Sequence, residues 1–452
     1  MRALDSGAQL QTLYRPLRPG PHGRERDHEQ VLEHQRLRLH GAMVEAVSQL
    51  GYASVTVVAL VRLAAVSKRS FYEHFSGKQE CFLATLDAVI ADVTTSVVVA
   101  GYCRSGGGES LRTLLAAGAL YVEAHPKRIR VCVVTAPAAG GDARARVESF
   151  RVASQSALAR AVSHAFGAQA PPPLASRGVA HGIWHLVRSR LLGDELEQLS
   201  PLADELYGWL DSYRCRPGAL APAPEIAPAR QVAAPCKSAA GDTRRRLHRA
   251  ALELAGRRGL TELGERPLLE LARVEKAELE ALYENAHACF LDALGLLAAE
   301  AFARILAAGR FAAATGSWPA VVRASVAALL DWCVREPALA RAAFVEAFRG
   351  GPDIQLRTRY LLAGFANLLR RSAPERRRPS AVVAEGIVAA IWGVLHDYVA
   401  GDSIDRMPEL ADHLSFIVLA PAIGAEDAIE ALRQHGAAAA GMTGTVARTS
   451  MV

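Results

Sequence analysis

The chain has 452 residues, 51% of them hydrophobic and 22% charged, with a formal net charge of +6. That length exceeds a single hydrophobic core and predicts two or three folded domains, and the abundance of alanine with few aromatics favours helices over sheets. The composition excludes a disordered chain, and the mild basic excess permits nucleic-acid binding without requiring it.

Residues 1–30, which include "YRPLRPGPHGRERDHE", are predicted to form a disordered basic arm carrying Arg15, Arg18, Arg24 and Arg26. Met43, Ala46, Val47 and Leu50 follow the i, i+3, i+4, i+7 spacing of an amphipathic helix, and Gly51 stops it. Thr56 is placed to cap a short second helix running to about Ala64, and Ser67 caps a third ending near Phe75. "SGKQ" at 76–79 reads as a capping box, Ser76 with Gln79, opening a fourth. Short helices joined by a tight turn make a helix-turn-helix. Val66, Phe71 and Phe75 can face inward, leaving Lys68, Arg69, Ser70, Tyr72 and His74 toward a major groove. Arg69 can fork onto guanine O6 and N7, and Lys68 can do the same or meet a phosphate. The hydroxyls of Thr56 and Tyr72 suit phosphate oxygens, Lys78 adds charge beside free backbone N–H groups, and the capping Ser67 is counted with them among the DNA-binding residues.

The run "GYASVTVVALVRLAAVSKRSFYEHFSGKQECFLATL" resembles the DNA-binding domain of the tetracycline-repressor (TetR) family of bacterial transcription regulators. The resemblance is carried by Gly51-Tyr52, Thr56, the Ala64-Ala65-Val66-Ser67 turn, Phe71-Tyr72, Phe75, Lys78 and Phe82-Leu83. It departs at Ala65, where the family usually has glycine. The resemblance implies an all-α protein with a helix-turn-helix domain over 31–85 and a helical effector and dimerisation domain over 86–215. It further implies a double-stranded DNA operator as partner, and a repressor released when a small apolar effector enters its core. No cofactor and no catalytic activity are implied.

The frame recurs. "AAVSKRSFYEHFSGKQECFLATL" at 64–86 is matched 208 residues later by "ARVEKAELEALYENAHACFLDAL". Arg38-Leu39-His40 meets Arg246-Leu247-His248, and Gly51 meets Gly259. After a slip of three residues in the middle, where Pro126 pairs with Pro337, the offset returns: Gly178, Ile183, Trp184, Gly193 and Asp194 meet Gly386, Ile391, Trp392, Gly401 and Asp402. A tandem duplication is the expected origin. It assigns 243–294 as a degenerate helix-turn-helix domain and 295–434 as a second effector and dimerisation domain. A Pro/Ala-rich linker (216–242) lies between the bodies, and a flexible tail (435–452) follows.

The second head has lost its reading residues. Ser67, Arg69, Ser70, Tyr72 and Lys78 are replaced by Glu275, Ala277, Glu278, Glu280 and Ala286, so segment 66–80 carries +1 and segment 274–288 carries −3. Carboxylates facing phosphates oppose the counterion release that drives binding. The apolar frame, Leu268, Leu271, Val274, Leu279, Tyr283 and Phe290, survives, and Pro267 is tolerable near a helix start. The family's C-terminal helices pair two subunits; here Trp184, Leu202, Leu206 and Leu210 are the expected pairing residues of the first body, and Trp392, Leu410 and Leu414 those of the second. One chain can be its own pseudo-dimer, or two chains can form a homodimer. An alternative function is a protein-interaction or DNA-mimic module acting through the acidic second head.

Other signals carry little chemistry. His181 and His185 stand at i, i+4 without an acidic third ligand, so structural histidines are expected in place of a metal site. Seven cysteines, an odd number without a C-x-x-C pair, argue for a reducing compartment, with Cys81 and Cys289 as buried thiols. Trp184, Trp209, Trp332 and Trp392 are expected in packing. Asp194-Glu195-Glu197 reads as a solvated turn, and Gly106-Gly107-Gly108 lacks the lysine of a phosphate loop. No apolar run is read as a membrane span, and the expected location is the cytoplasm.

Overall fold

The structure, a computed structural model, describes residues 28–102, 107–193, 195, 199–227, 242–313 and 316–434. Arg15, Arg18, Arg24 and Arg26 of the arm, Gly106, Asp194, Glu197, linker residues 228–241 and the 435–452 tail lie outside these. Every regular element among the described residues is helical.

The first head begins at His28, three residues inside the expected arm, with helix α1 (His28–Ser54). Its path breaks at Gly51, whose φ of 71° and ψ of 152° suit a residue without Cβ. Thr56 caps α2 (Val57–Ala64) by accepting from the Ala59 N–H at 3.2 Å. Ser67 caps α3 (Lys68–His74) by accepting from the Ser70 N–H at 2.9 Å. The turn between them runs through Ala65 in the left-handed region, φ 48°. Helix α4 (Lys78–Tyr102) starts one residue later than the expected capping box, which moves its third position to Glu80. Glu80, not Gln79, therefore accepts from the Ser76 N–H and hydroxyl, at 2.6 Å each. Leu39, Met43, Leu60, Phe71, Phe82 and Leu86 are fully buried between these helices.

Helices α5 (Gly107–Ala124) and α6 (Pro126–Arg130), a π-helical turn (Val131–Thr135), α7 (Gly141–Phe166), α8 (Pro173–Gly193) and α9 (Ala203–Asp211) follow. Over 243–313, the expected second head, come α10 (Thr243–Arg258), α11 (Glu265–Ala272), α12 (Lys276–Glu280) and α13 (Ala286–Ala313). Pro267 falls in the first turn of α11, where a missing N–H costs no helical bond. After it come α14 (Trp318–Arg335), α15 (Pro337–Arg341), a π-helical turn (Ala342–Glu346), α16 (Pro352–Ser372), α17 (Ala381–Ala400), α18 (Ala411–Ile423) and a last helix over 425–434.

Backbone details recur with the sequence. Gly51 and Gly259 both have positive φ, 71° and 90°, and Ala65 and Arg273 are both left-handed, 48° and 55°. Arg38 donates to the Ala65 carbonyl at 2.9 Å, and Arg246, 208 residues on, donates to the Arg273 carbonyl at 2.9 Å. The two π-helical turns stand 211 residues apart, matching the slipped middle register.

Compactness divides the chain into one unit of Met1–Ser154 with Val187–Ala203 and another of Gln155–Leu186 with Asp204–Val452. The second unit thus contains the first part of α8 and α9 from Asp204 onward, together with α10 to α18. α17 is long and apolar enough to cross a membrane, which the sequence reading had not credited to any segment. Here Ala384, Ile387, Ala390, Val394 and Val399 are buried in the core of the second unit.

Candidate nucleic-acid interface and interior sites

In the first head, helix α3 divides into two faces. Phe71 and Phe75 are buried, and Phe71 stacks edge-on to Tyr72 at 5.3 Å. Lys68, Arg69 and Tyr72 are exposed on the other face. Arg69 is 90% exposed and reaches along the helix to Glu73 at 3.1 Å, a solvated pair of small worth. The Ser67 and Ser70 hydroxyls lie 2.9 Å apart, tied to each other and to the cap. Thr56 likewise uses its oxygen as a cap acceptor, which leaves its hydroxyl proton to donate.

Two expected groove residues sit differently. His74 is half-buried, its Nε2 3.2 Å from Gln35 Oε1 on α1, and burial lowers its pKa. Position 74 is one helical turn from Phe71 and so falls near the inner edge. Lys78 turns back to the end of α1, where its Nζ donates to the carbonyls of Tyr52 (3.1 Å) and Ala53 (3.3 Å) and stands over the Tyr52 ring at 4.6 Å. The helix ends at Ser54, so these last carbonyls lie beyond its regular i→i+4 donors; the Tyr52 carbonyl takes the Val55 N–H at 3.3 Å, and the ammonium adds a donor to both.

Over 243–294 the glutamates are engaged in a helix cap, a link to α10 and ion pairs. Glu275 caps α12 and donates its N–H to Glu278 at 3.0 Å, a reciprocal capping box that also lowers the Glu278 pKa. Glu278 accepts from Thr243 at 2.9 Å, joining α12 to α10. Lys276, the retained cation, is held by Glu265 at 2.9 Å and Glu280 at 3.5 Å.

Of the expected pairing residues, Leu206, Leu210, Leu410 and Leu414 are buried in the second unit, and Trp184 is half-buried there. Leu202 lies in a 3₁₀ turn of the other unit. Trp392 takes another place: its ring meets Phe344 edge-on at 4.7 Å and lines an interior cavity. Sequence reasoning passed over this cavity of about 370 Å³, bounded by α13, α14, α16 and α17, with Leu297, Leu329, Trp332, Phe344 and Phe365 on its wall. Its hydroxyls are already engaged: Ser325 donates to the Ile305 carbonyl and Thr358 to that of Ile354. What remains is a largely apolar chamber, with the Trp392 indole N–H buried in its wall without a hydrogen-bond partner.

His181 pairs with Asp397 at 2.9 Å and Gln155 at 3.1 Å, and His185 stands 3.5 Å from Glu385. Among the described residues no group of three His, Cys, Asp or Glu is placed to hold a metal. Cys81, Cys132, Cys215, Cys289 and Cys333 are buried free thiols; Cys103 and Cys236 lie outside the described residues.

No curated protein matches the sequence. The fatty acid degradation regulator FadR from Bacillus halodurans is similar at 14% identity, over 38% of this chain and 96% of that one, with a TM-score of 0.35. A TetR-like transcriptional regulator from Rhodococcus sp. RHA1 is 19% identical over 38% of this chain and 93% of its own, TM-score 0.33. A TetR family transcription regulator from Marinobacter aquaeolei VT8 is 19% identical over 39% and 97%, TM-score 0.31. Residues 42–85 match the bacterial regulatory proteins of the tetR family, and this stretch runs from α1 through the capped turn and α3 into α4. The chain therefore carries, at its first head, the helix-turn-helix domain of the tetR family of bacterial regulatory proteins, a DNA-binding module of transcription regulators.

Proposed function

We propose that the protein is an effector-responsive repressor that reads one operator half-site through α3 of its first head. The carrying observation is the face of α3 on which Lys68, Arg69 and Tyr72 are exposed opposite buried Phe71 and Phe75. Arg69 reads a guanine, Lys68 a base or a phosphate, and the hydroxyls of Thr56, Ser67, Ser70 and Tyr72 meet the backbone. Lys78 and His74 support this face from behind, Lys78 by closing α1 and His74 through Gln35. The second head does not read: its α12 is short and its glutamates are engaged in caps and ion pairs.

The recurrence of turns, left-handed residues and π-helical turns supports a tandem duplication. The last helices of the first body, α8 and α9, serve as partners for α17 and α18 of the second, making the chain its own pseudo-dimer. The linker supports this: residues 219–227 are fastened to the second body, not free as a spacer would be. Their carbonyls accept from Arg433 (Ala219, 3.1 Å), His413 (Ala221, 2.9 Å), Arg406 (Glu225, 3.0 Å) and Ser403 (Ala227, 2.8 Å). The 370 Å³ chamber takes a small apolar effector, so sensing falls to the body that has lost its reading residues.

The test is selection of bound sequences from genomic fragments by the full chain, followed by footprinting. A footprint of one half-site that Lys68→Ala weakens and Lys276→Ala leaves intact is expected. Protection of two equal half-sites by a single chain, or loss through Lys276→Ala, refutes the reading.

A further inference from the structure

Helices α8 and α9 lie against α17 and α18, with Gly178 of α8 facing Ile417 and Ala390. We propose that this bundle is coded to join unlike bodies, so that the first body accepts the second and rejects another copy of itself. The proposal rests on the self-pairing reading above and adds what selects the partner.

The helices cross at glycines. A Cβ on Gly182 would lie 2.5 Å from the Trp209 ring and 2.7 Å from the Gly386 carbonyl, and one on Gly386 would lie 2.8 Å from Trp209. Beyond the crossing the fit becomes one-sided. A Cβ on Gly393 would fall 2.2 Å from Cγ of His181, so the imidazole fills a place that only glycine leaves open. In the repeat register, the first body's residue at the position of Gly393 is His185, and the second body's residue at the position of His181 is Ala389. Joining two first bodies would push His181 of one into His185 of the other. Joining two second bodies would set Ala389 against Gly393 and leave a void.

Charge follows the same rule. The buried imidazoles of His181 and His185 meet Asp397 at 2.9 Å and Glu385 at 3.5 Å, both carboxylates on the second body. Their counterparts on the first body are Ser189 and Arg177. A first-body pair would therefore face His185 with Arg177, and a second-body pair would bury Glu385 and Asp397 without these imidazoles. The unlike contacts give each buried carboxylate an imidazole partner, and the like contacts withdraw that partner or set Arg177 against His185, which is how specificity against a near-identical partner is built.

Full-length variants test the code by exchange of sizes. Gly393→His installs the first body's residue beneath His181 and is expected to lower the unfolding midpoint by roughly 5–10 °C. Adding His181→Ala should recover most of that loss, since large against small is restored in reverse. Should Gly393→His fail to fold, Gly393→Ala with and without His181→Ala gives the same comparison. A Gly393→His chain as stable as the parent, or a loss that His181→Ala does not recover, overturns the proposal. Light scattering of the parent separates the two ideas. A mass near 48.2 kDa supports closure within one chain. Double that mass with the recovery intact refutes closure within one chain, yet upholds the pairing of unlike bodies.

Discussion

Arg69→Ala is expected to weaken specific DNA binding while leaving the fold intact, and the two effects separate cleanly because of where the side chain stands. Its contact to Glu73, 90% and 46% exposed on the two sides, is a surface i, i+4 pair worth about 0.3–0.5 kcal/mol. Losing it should move the unfolding midpoint by no more than about 2 °C. A fork from Arg69 onto guanine is worth about 1–3 kcal/mol of discrimination, so affinity for the selected operator should fall roughly 5- to 150-fold. Glu73 competes for the same guanidinium, and its own charge repels phosphates. Glu73→Gln should therefore bind about two- to threefold tighter. Fluorescence anisotropy with the selected duplex and an unrelated one, at matched salt, reads both changes. Unchanged operator affinity in Arg69→Ala, or an equal loss on the unrelated duplex, refutes base reading by this residue.

Further outcomes follow from the same geometry. Ala65 holds φ 48°, a conformation costing an L-residue about 1–2 kcal/mol, partly offset by the greater unfolded-state freedom of glycine. Ala65→Gly should raise the midpoint by about 2–4 °C; a fall would show that the turn depends on the methyl group. His40 is held to about 4, below its ordinary 6.5, first by burial and then by Arg36; its ring sits 2.8 Å from Thr85 Oγ1 and edge-on to Phe75. The unfolded chain therefore binds the extra proton first, and stability from this site is lost as pH falls from about 6.5 to about 4, by up to about 3 kcal/mol. Denaturant titrations of the parent and His40→Gln at pH 7 and pH 4.5 check this: the gap between the two pH values should narrow in the variant. Filling the chamber with Leu329→Trp should abolish effector-dependent release while operator affinity stays within about twofold. Release unchanged by that variant would place the effector elsewhere. The Cys81 thiol, pushed up to about 12 chiefly by burial, should resist maleimide in the folded chain at pH 8 and react only on unfolding.

Much of the first head was legible in the sequence because its signals are local. Caps at Thr56 and Ser67, the stop at Gly51 and the inward Phe71 and Phe75 each depend on neighbours within one or two turns. Where the reading slipped, one residue of helix phase decided the outcome. Glu80 replaced Gln79 because α4 starts at Lys78, one residue later than the sequence spacing gives.

Sequence by itself determined the helical class and the motif, and it shows the matches at an offset of 208 residues and the charge difference between segments 66–80 and 274–288. These are written in spacing and charge, which need no knowledge of what packs where. Tertiary structure alone decided that Trp392 lines a chamber, and that His181 seats over Gly393 beside Asp397. A glycine in a helix looks the same in sequence whether it faces water or a ring 2.2 Å from its missing Cβ. Only the crossing of helices 200 residues apart gives that absence its meaning.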